Sequence, residues 1–182
     1  MSNVFILTRN CLELTKRCFE SVRRQSVSPN VLIYDNDSTD GTPEWLKENK
    51  HPATFDYQNF HINLGVSKGW NCGLYELFHN RAADHVLVIG NDTVIAPWTY
   101  SALLSVNVPF VTGYDVGMES LPDKPDITPI TPHPDFSCFL IRRECWERVG
   151  RFDEDMVMYA QDCDYHVRAH RMGIPLLKAS IP

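Results

Sequence analysis

Four short stretches carry the side chains that could do chemistry. Thr8-Arg9-Asn10 and Gly90-Asn91-Asp92-Thr93 each end an apolar run on hydrogen-bonding residues, and Asp35-Asn36-Asp37-Ser38-Thr39-Asp40-Gly41 does the same with carboxylates. Gln161-Asp162-Cys163-Asp164 opens the last periodic segment. Gathered carboxylates can hold a cation or accept a proton. The same residue types also serve as plain turn and cap residues that bond nearby backbone N–H groups. The stretch from Asp35 is not an EF-hand, because its sixth and twelfth places hold Asp40 and Leu46 where Gly and Glu are required. Asn63-Leu64-Gly65-Val66-Ser67-Lys68-Gly69-Trp70-Asn71 is glycine-rich and opens a helix. Helix starts favour phosphate, although this one fits neither the dinucleotide fingerprint nor the P-loop. Lys68 either lends a cation to that turn or faces solvent. In the last stretch Asp164 and Arg168 stand at i, i+4 and should pair. Asp162 falls on another face, free to point into a cleft.

These stretches need elements to position them. Val4–Leu7, Val31–Tyr34 and Val86–Ile89 read as buried strands, with a weaker strand over Thr54–Phe60. Helices are predicted with Leu14, Cys18 and Val22 on one face, from an N-cap at Thr42 with Pro43 first inside, and over Ser67–His79, Pro97–Ser105, Arg142–Val149 and Gln161–Met172, the last stopped by Gly173. Pro109–Thr112, Phe136–Ile141 and Pro175–Lys178 complete the strands. Strand–helix alternation with continuous apolar runs predicts an α/β domain whose mostly parallel sheet is covered on both faces. In such sheets ligands bind beyond the carboxyl ends of the strands, so the polar ends should converge on one crevice. Pro122, Pro125, Pro129, Pro132 and Pro134 break all periodicity between 115 and 135, and a substrate-side flap is expected there.

Length and composition agree. The 182 residues suit a single domain, and 43% hydrophobic residues suffice for a core. A net charge of -6 argues against a nucleic-acid partner. None of the six cysteines forms a CxxC pair, so a zinc knuckle is excluded and a reduced cytoplasmic protein fits. No basic-then-apolar leader precedes Val4, and no apolar run approaches the roughly 20 residues of a membrane span. Peripheral membrane contact stays open. In that setting the sequons at Asn36 and Asn91 are idle.

The ordered set of motifs resembles the family 2 glycosyltransferases of GT-A fold. It comprises Thr8-x-Asn10, Asp35-Asn36-x-Ser38-x-Asp40-Gly41-Thr42, Asn63-x-Gly65 through Asn71, Gly90-Asn91-Asp92-Thr93, Gly150-x-Phe152-Asp153, and Gln161-Asp162-x-Asp164 with Arg168 and Gly173. The resemblance implies a Rossmann-like GT-A domain with a nucleotide-binding half over about 1–112, the Pro-rich loop, and an acceptor and catalytic part over about 136–182. It implies inverting, hexosyltransferase-type transfer from a nucleotide-sugar donor to a carbohydrate or glycan hydroxyl, with UDP favoured and a dTDP-sugar such as a rhamnose donor the alternative. Thr8, Asn10, Asp35, Asn36, Asn63, Gly65, Asn71 and Asn91 would serve the donor, with Lys68 our own addition, and Ser137 and Cys138 would lie along its sugar. Asp92 matches the last acid of the family's DxD motif, the ligand of Mn²⁺ or Mg²⁺, and Asp162 matches the catalytic base. Gly90 stands in place of the first acid, and Gln161 in place of the Glu before the base. Many relatives run on a few residues further to a metal-binding His, with His133, His166 and His170 the available alternatives in this sequence. This implies either a sparse metal site or one domain of a longer chain, and it keeps a weakly hydrolytic or non-catalytic nucleotide-sugar-binding domain as the alternative. A nucleotidyltransferase is set aside because Thr8-Arg9-Asn10-Cys11 is not a glycine-rich basic loop.

Overall fold

The apolar runs become the middle of one eight-stranded sheet. The structure, a computed structural model, describes residues 2–51, 54–114, 127–129, 135–156 and 159–180. The strands are β1 (Asn3–Thr8), β2 (Asn30–Asp35), β3 (Phe55–Asn59), β4 (His85–Gly90), β5 (Phe110–Tyr114), β6 (Ile127–Pro129), β7 (Cys138–Arg142) and β8 (Leu176–Ser180). Their order is β3-β2-β1-β4-β7-β5-β8-β6. The block β3-β2-β1-β4 is parallel throughout, as is the β5–β8 pair. β7 runs antiparallel between β4 and β5, and β6 antiparallel along β8. The sheet is thus mixed but mostly parallel, as expected, with four parallel pairings and three antiparallel ones among the described strands.

Helices cover both faces, which is why the strands read as unbroken apolar runs. They are α1 (Leu12–Arg23), α2 (Thr42–Asn49), α3 (Val66–Tyr75, continued by a π-helical turn Glu76–Asn80), α4 (Thr99–Ser105), α5 (Arg143–Val149) and α6 (Gln161–Arg171). Alternate residues of β1 serve opposite cores. Val4 and Ile6 join Cys18, Phe19 and Val22 of α1, Leu46 of α2 and Leu103 of α4. Phe5 joins Trp70 and Leu74 of α3, Trp146 of α5 and Tyr165 of α6. The second core holds an aromatic cluster in which Phe152 stacks on Tyr165 at 4.3 Å and packs edge-on to Trp70 at 5.1 Å.

Three expectations are corrected. The inward face of α1 is Thr15, Cys18, Phe19, Ser21 and Val22, while Leu14 is 38% exposed. Its first turn is rotated by a polar anchor, because the Thr15 hydroxyl meets that of Thr8 at 2.8 Å. Thr42 is the first helical residue of α2 and not its cap; Gly41 holds the cap position at φ +83°. Within the Pro-rich stretch Ile127–Pro129 forms a strand, which is too short to show periodicity and lies on the sheet edge where proline is tolerated. The rest of the expected flap, with His133, lies outside the described residues.

The seating of α3 on β1 depends on two glycines one helical turn apart. A Cβ at Gly69 would come within 2.6 Å of the Leu7 side chain, and one at Gly73 would run into the Phe5 ring. Alanine is the better helix former, but the ring lies in a fully buried core with nowhere to shift. Gly73→Ala should therefore destabilise the fold by about 1–3 kcal/mol, the usual cost of overpacking. A lowered urea midpoint at unchanged slope would show it.

Candidate functional site

The register of the parallel block places the polar strand ends side by side. Thr8 lies opposite Asp35 on one flank, and Leu7 opposite Gly90 on the other. Backbone and side-chain hydrogen bonds knit these ends into one floor. The Asn91 amide donates to the Thr8 hydroxyl at 3.1 Å, to the Thr15 hydroxyl at 3.0 Å and to the Asn10 carbonyl at 3.3 Å. The Asn10 N–H donates to the Ser38 hydroxyl at 2.7 Å, and its side-chain oxygen accepts the Thr39 N–H at 2.8 Å. Asn36 accepts the Leu64 N–H at 2.8 Å and donates to Asn63 Oδ1 at 2.9 Å and the Gly65 carbonyl at 3.3 Å. Gly65 opens α3 at φ +76°, in the region that favours glycine. Thr8, Asn10, Asp35, Asn36, Asn63, Gly65 and Asn91 are thus brought together.

Asp35 is wholly buried in this floor. Its carboxylate accepts the Ser38 N–H at 3.1 Å and the Asn59 amide at 3.0 Å. Burial holds its carboxyl above the usual 3.8, against the downward pull of the Ser38 bonds. Asp40 plays a different part. It accepts the Leu12 N–H and the Thr42 hydroxyl, closing the starts of α1 and α2 against each other. Backbone strain gathers at the same edge. Asn10, Cys11 and Asp37 are all non-glycine residues at positive φ, as is Ala160 just ahead of α6. Each costs on the order of 1–2 kcal/mol, and such strain tends to cluster at functional sites.

Asp92 stands exposed on the turn after β4, and among the described residues no donor is committed to its carboxylate. A Cβ on Gly90 would meet Asp92 Oδ1 at 2.9 Å. A side chain at position 90 would require the exposed Asp92 carboxylate to swing aside. No group of three or more His, Cys, Asp or Glu able to hold a metal occurs among the described residues. Among the described residues, a divalent cation at this turn would have Asp92 as its protein carboxylate and would take its other oxygens from ligand and water, a mode that Mg²⁺ accepts readily.

The profile of Glycosyl transferase family 2 matches residues 3–106. The chain belongs to this family. The match runs from β1 through α4, so every donor-side residue up to Asp92 lies within it, whereas Ser137, Cys138 and Asp162 lie beyond it. No curated protein matches the chain. Solved structures share the fold. A mannosyltransferase from Pyrobaculum calidifontis, in complex with GDP-Man and Mn²⁺, aligns at TM-score 0.73 and 18% identity, covering 100% of this chain and 54% of its own. TarS 1-349 of S. aureus in complex with UDP-GlcNAc aligns at 0.66 and 16%, covering 100% and 59%. GalNAc-T7 with UDP, GalNAc and Mn²⁺ aligns at 0.77 and 13%, covering 98% and 42%. The chain thus spans about half the length of these glycosyltransferases.

In this glycosyltransferase domain the other residues named from sequence lie as follows. Both functions of the Asn71 amide are committed to the 152–154 turn, at 2.9–3.0 Å, and the residue is 2% exposed. Cys138 faces the α1-side core, where burial pushes its thiol up to about 12. Ser137 stays exposed, and its carbonyl accepts the Gly90 N–H at 2.8 Å, which brings it against the Asp92 turn. Lys68 is exposed on the first turn of α3. Asp162 is half-buried in the first turn of α6 and accepts the Cys163 N–H at 2.9 Å. Beside it, Gln161 Oε1 is buried with no hydrogen-bond partner among the described residues. Asp164 and Arg168 pair at 2.7 Å, as their spacing predicts. The sequence reading missed Asn59, although it ends β3 opposite Asp35 just as Asp35 ends β2. The rule that found the other polar ends would have found it. Thr15 had no such signal.

The Asp35 carboxyl gives a test. Its folded value is raised, so the folded state binds its proton more tightly than the unfolded state does. Its contribution to stability is full below 3.8 and is lost as pH rises through the raised value. Asp35→Asn should gain on the wild type over that window, seen as converging urea midpoints between about pH 3 and about pH 7.

Proposed function

We propose that the chain transfers a sugar from a nucleoside-diphosphate donor to an acceptor hydroxyl, with inversion and with the help of a divalent cation. The observation that carries this reading is the register that sets Thr8, Asp35 and the Asp92 turn on adjacent strand ends. The floor around Asp35, Asn36 and Asn10 would hold the nucleoside, with Asn63 and Gly65 fixing its rim. Mn²⁺ or Mg²⁺, held by Asp92, would supply Lewis-acid neutralisation of the departing diphosphate. Ser137, drawn against that turn, would border the sugar, and Lys68 would add a positive charge near the phosphates.

Asp162 is the proposed base. It would take the proton from the acceptor hydroxyl as that oxygen bonds to the anomeric carbon. The bond from that carbon to the diphosphate oxygen breaks on the opposite side, which inverts the centre. A cleft carboxylate within hydrogen-bond reach of the hydroxyl suffices for this. We favour a UDP-sugar donor, with a dTDP-sugar as the alternative, and a carbohydrate or glycan acceptor. The fold itself accommodates more than one base, since its neighbours hold GDP-Man in one case and UDP-GlcNAc in another. The six free cysteines fit a reducing, cytoplasmic setting. Among the described residues no helix is long and apolar enough to cross a membrane. Because those neighbours are about twice as long, we further propose that this domain works within a longer chain.

A second reading, a nucleotide-sugar-binding module with little or no turnover, draws on Gly90 and Gln161 in place of the two family acids. Calorimetry with nucleoside diphosphates and Mn²⁺, run beside transfer and donor-hydrolysis assays, separates the two. For the enzyme, Asp162→Asn should lower kcat by about 100-fold or more, the usual share of a general base, with nucleotide affinity retained. Asp92→Asn should abolish the metal dependence of nucleotide binding. Turnover unchanged in both variants would reject the catalytic reading, and binding with no turnover in the wild type would establish the module.

A further inference from the structure

We propose that Asn71 is a positioning residue, which fixes the helix bearing Asp162 relative to the nucleotide pocket through the Gly150–Asp155 turn. The inference rests on the reading of Asp162 as the base.

The path begins at the pocket. Asn36 grips the loop that opens α3, bonding Leu64, Gly65 and Asn63. α3 cannot slide from there, because Gly69 and Gly73 seat it directly against Leu7 and Phe5 of β1, the strand that ends at Thr8. From this fixed helix two side chains reach across more than eighty residues of sequence. The Ser67 hydroxyl donates to the Met156 carbonyl at 2.7 Å. Asn71 Oδ1 accepts the Phe152 N–H at 2.9 Å, while its amide donates to the Phe152 carbonyl at 2.9 Å and to Glu154 Oε1 at 3.0 Å. Both backbone polar groups of one residue are thereby held by one amide. An apolar side chain could fill that space, but only a group with a donor and an acceptor fixes the direction of the turn.

The turn passes this placement on. The Phe152 ring, 1% exposed, stacks on Tyr165 at 4.3 Å and 25°. Tyr165 lies on α6, three residues after Asp162. Arg168, one turn further on, donates to the Val149 carbonyl at 2.9 Å and lies over the Tyr165 ring at 5.1 Å. The pocket and the proposed base are thus joined by a continuous series of contacts, with Asn71 at the step between the two halves of the chain. A displacement of about 1 Å at a reacting group can lower a rate by about 100-fold, so this step has leverage on turnover.

The test uses Asn71→Asp, which sets a carboxylate against Glu154 and the Phe152 carbonyl. A double variant adds Glu154→Gln, so that the new amide at position 154 can donate to the carboxylate at position 71. Hydrogen exchange, nucleotide affinity and turnover are read on each. The single variant should raise exchange of the backbone amides over 150–164 by about tenfold or more, leave those of β1 and β2 protected, and lower kcat by about 10–100-fold. Its affinity for a nucleoside diphosphate should hold within about twofold, and the double variant should recover part of both losses. A role in donor binding would move affinity first, and a merely structural role would lower protection everywhere; either result overturns the proposal, as does unchanged exchange over 150–164. Absence of turnover in the wild type would reject the catalytic reading by itself. Exchange and affinity would then decide whether Asn71 holds the turn.

Discussion

The register of β1 between β2 and β4 is the constraint on which the site depends. A one-residue slip in a strand sends every side chain to the other face. Here it would put Phe5 among the residues that cover α1 and turn Thr8 away from Thr15 and Asn91. Register is strongly specified because both faces are buried and the two cores differ. One face offers Cys18, Phe19 and Leu46, and the other the larger Trp70, Leu74 and Phe78. Val4 and Ile6 pack into the first of these cores and Phe5 into the second.

Once register is set, the polar ends are left in a place where water is scarce, and each must find a partner. Asn91 answers for three acceptors, on β1, on α1 and on the turn between them, and Asn36 answers for the loop that opens α3. This floor is held by the chain's own hydrogen bonds. The residues at positive φ along it are tolerated because so many bonds over-determine them. Asp35 is the exception to good pairing. Its burial raises its carboxyl even with two donors in place.

Much of this is legible in the sequence, for a reason that also marks its limit. Polar residues that stop an apolar run are local signals, and the strand-end rule turns them into a crevice. Thr8, Asp35 and Asp92 are found that way, and the Asp164–Arg168 pair follows from helix spacing. What local signals lack is direction. Nothing within Cys138 or its neighbours says which face of β7 it takes, and it takes the core. Asn71 sits in a motif that points toward phosphate, yet its partners lie at Phe152 and Glu154, so only the fold could reveal its use. The first turn of α1 defeats the apolar pattern for the same reason. Leu14 is the more apolar residue, but Thr15 is the one with a partner on β1.

The lone acid at the β4 turn bears on how a cation could be held there. Gly90 lies where Asp92 Oδ1 folds back over the chain, and its N–H is taken by the Ser137 carbonyl. A second carboxylate in that position would have to displace the first, and two acids without a fixed cation would repel across a short gap. Asp92 stands exposed to solvent on this turn. A cation bound by one protein carboxylate owes most of its coordination to the donor's phosphates and to water. Its affinity is then linked to that of the donor, since each completes the other's site. Such a site would be weak toward metal alone and strong toward metal and nucleotide together, which is the behaviour that distinguishes a donor site from a resident metal centre.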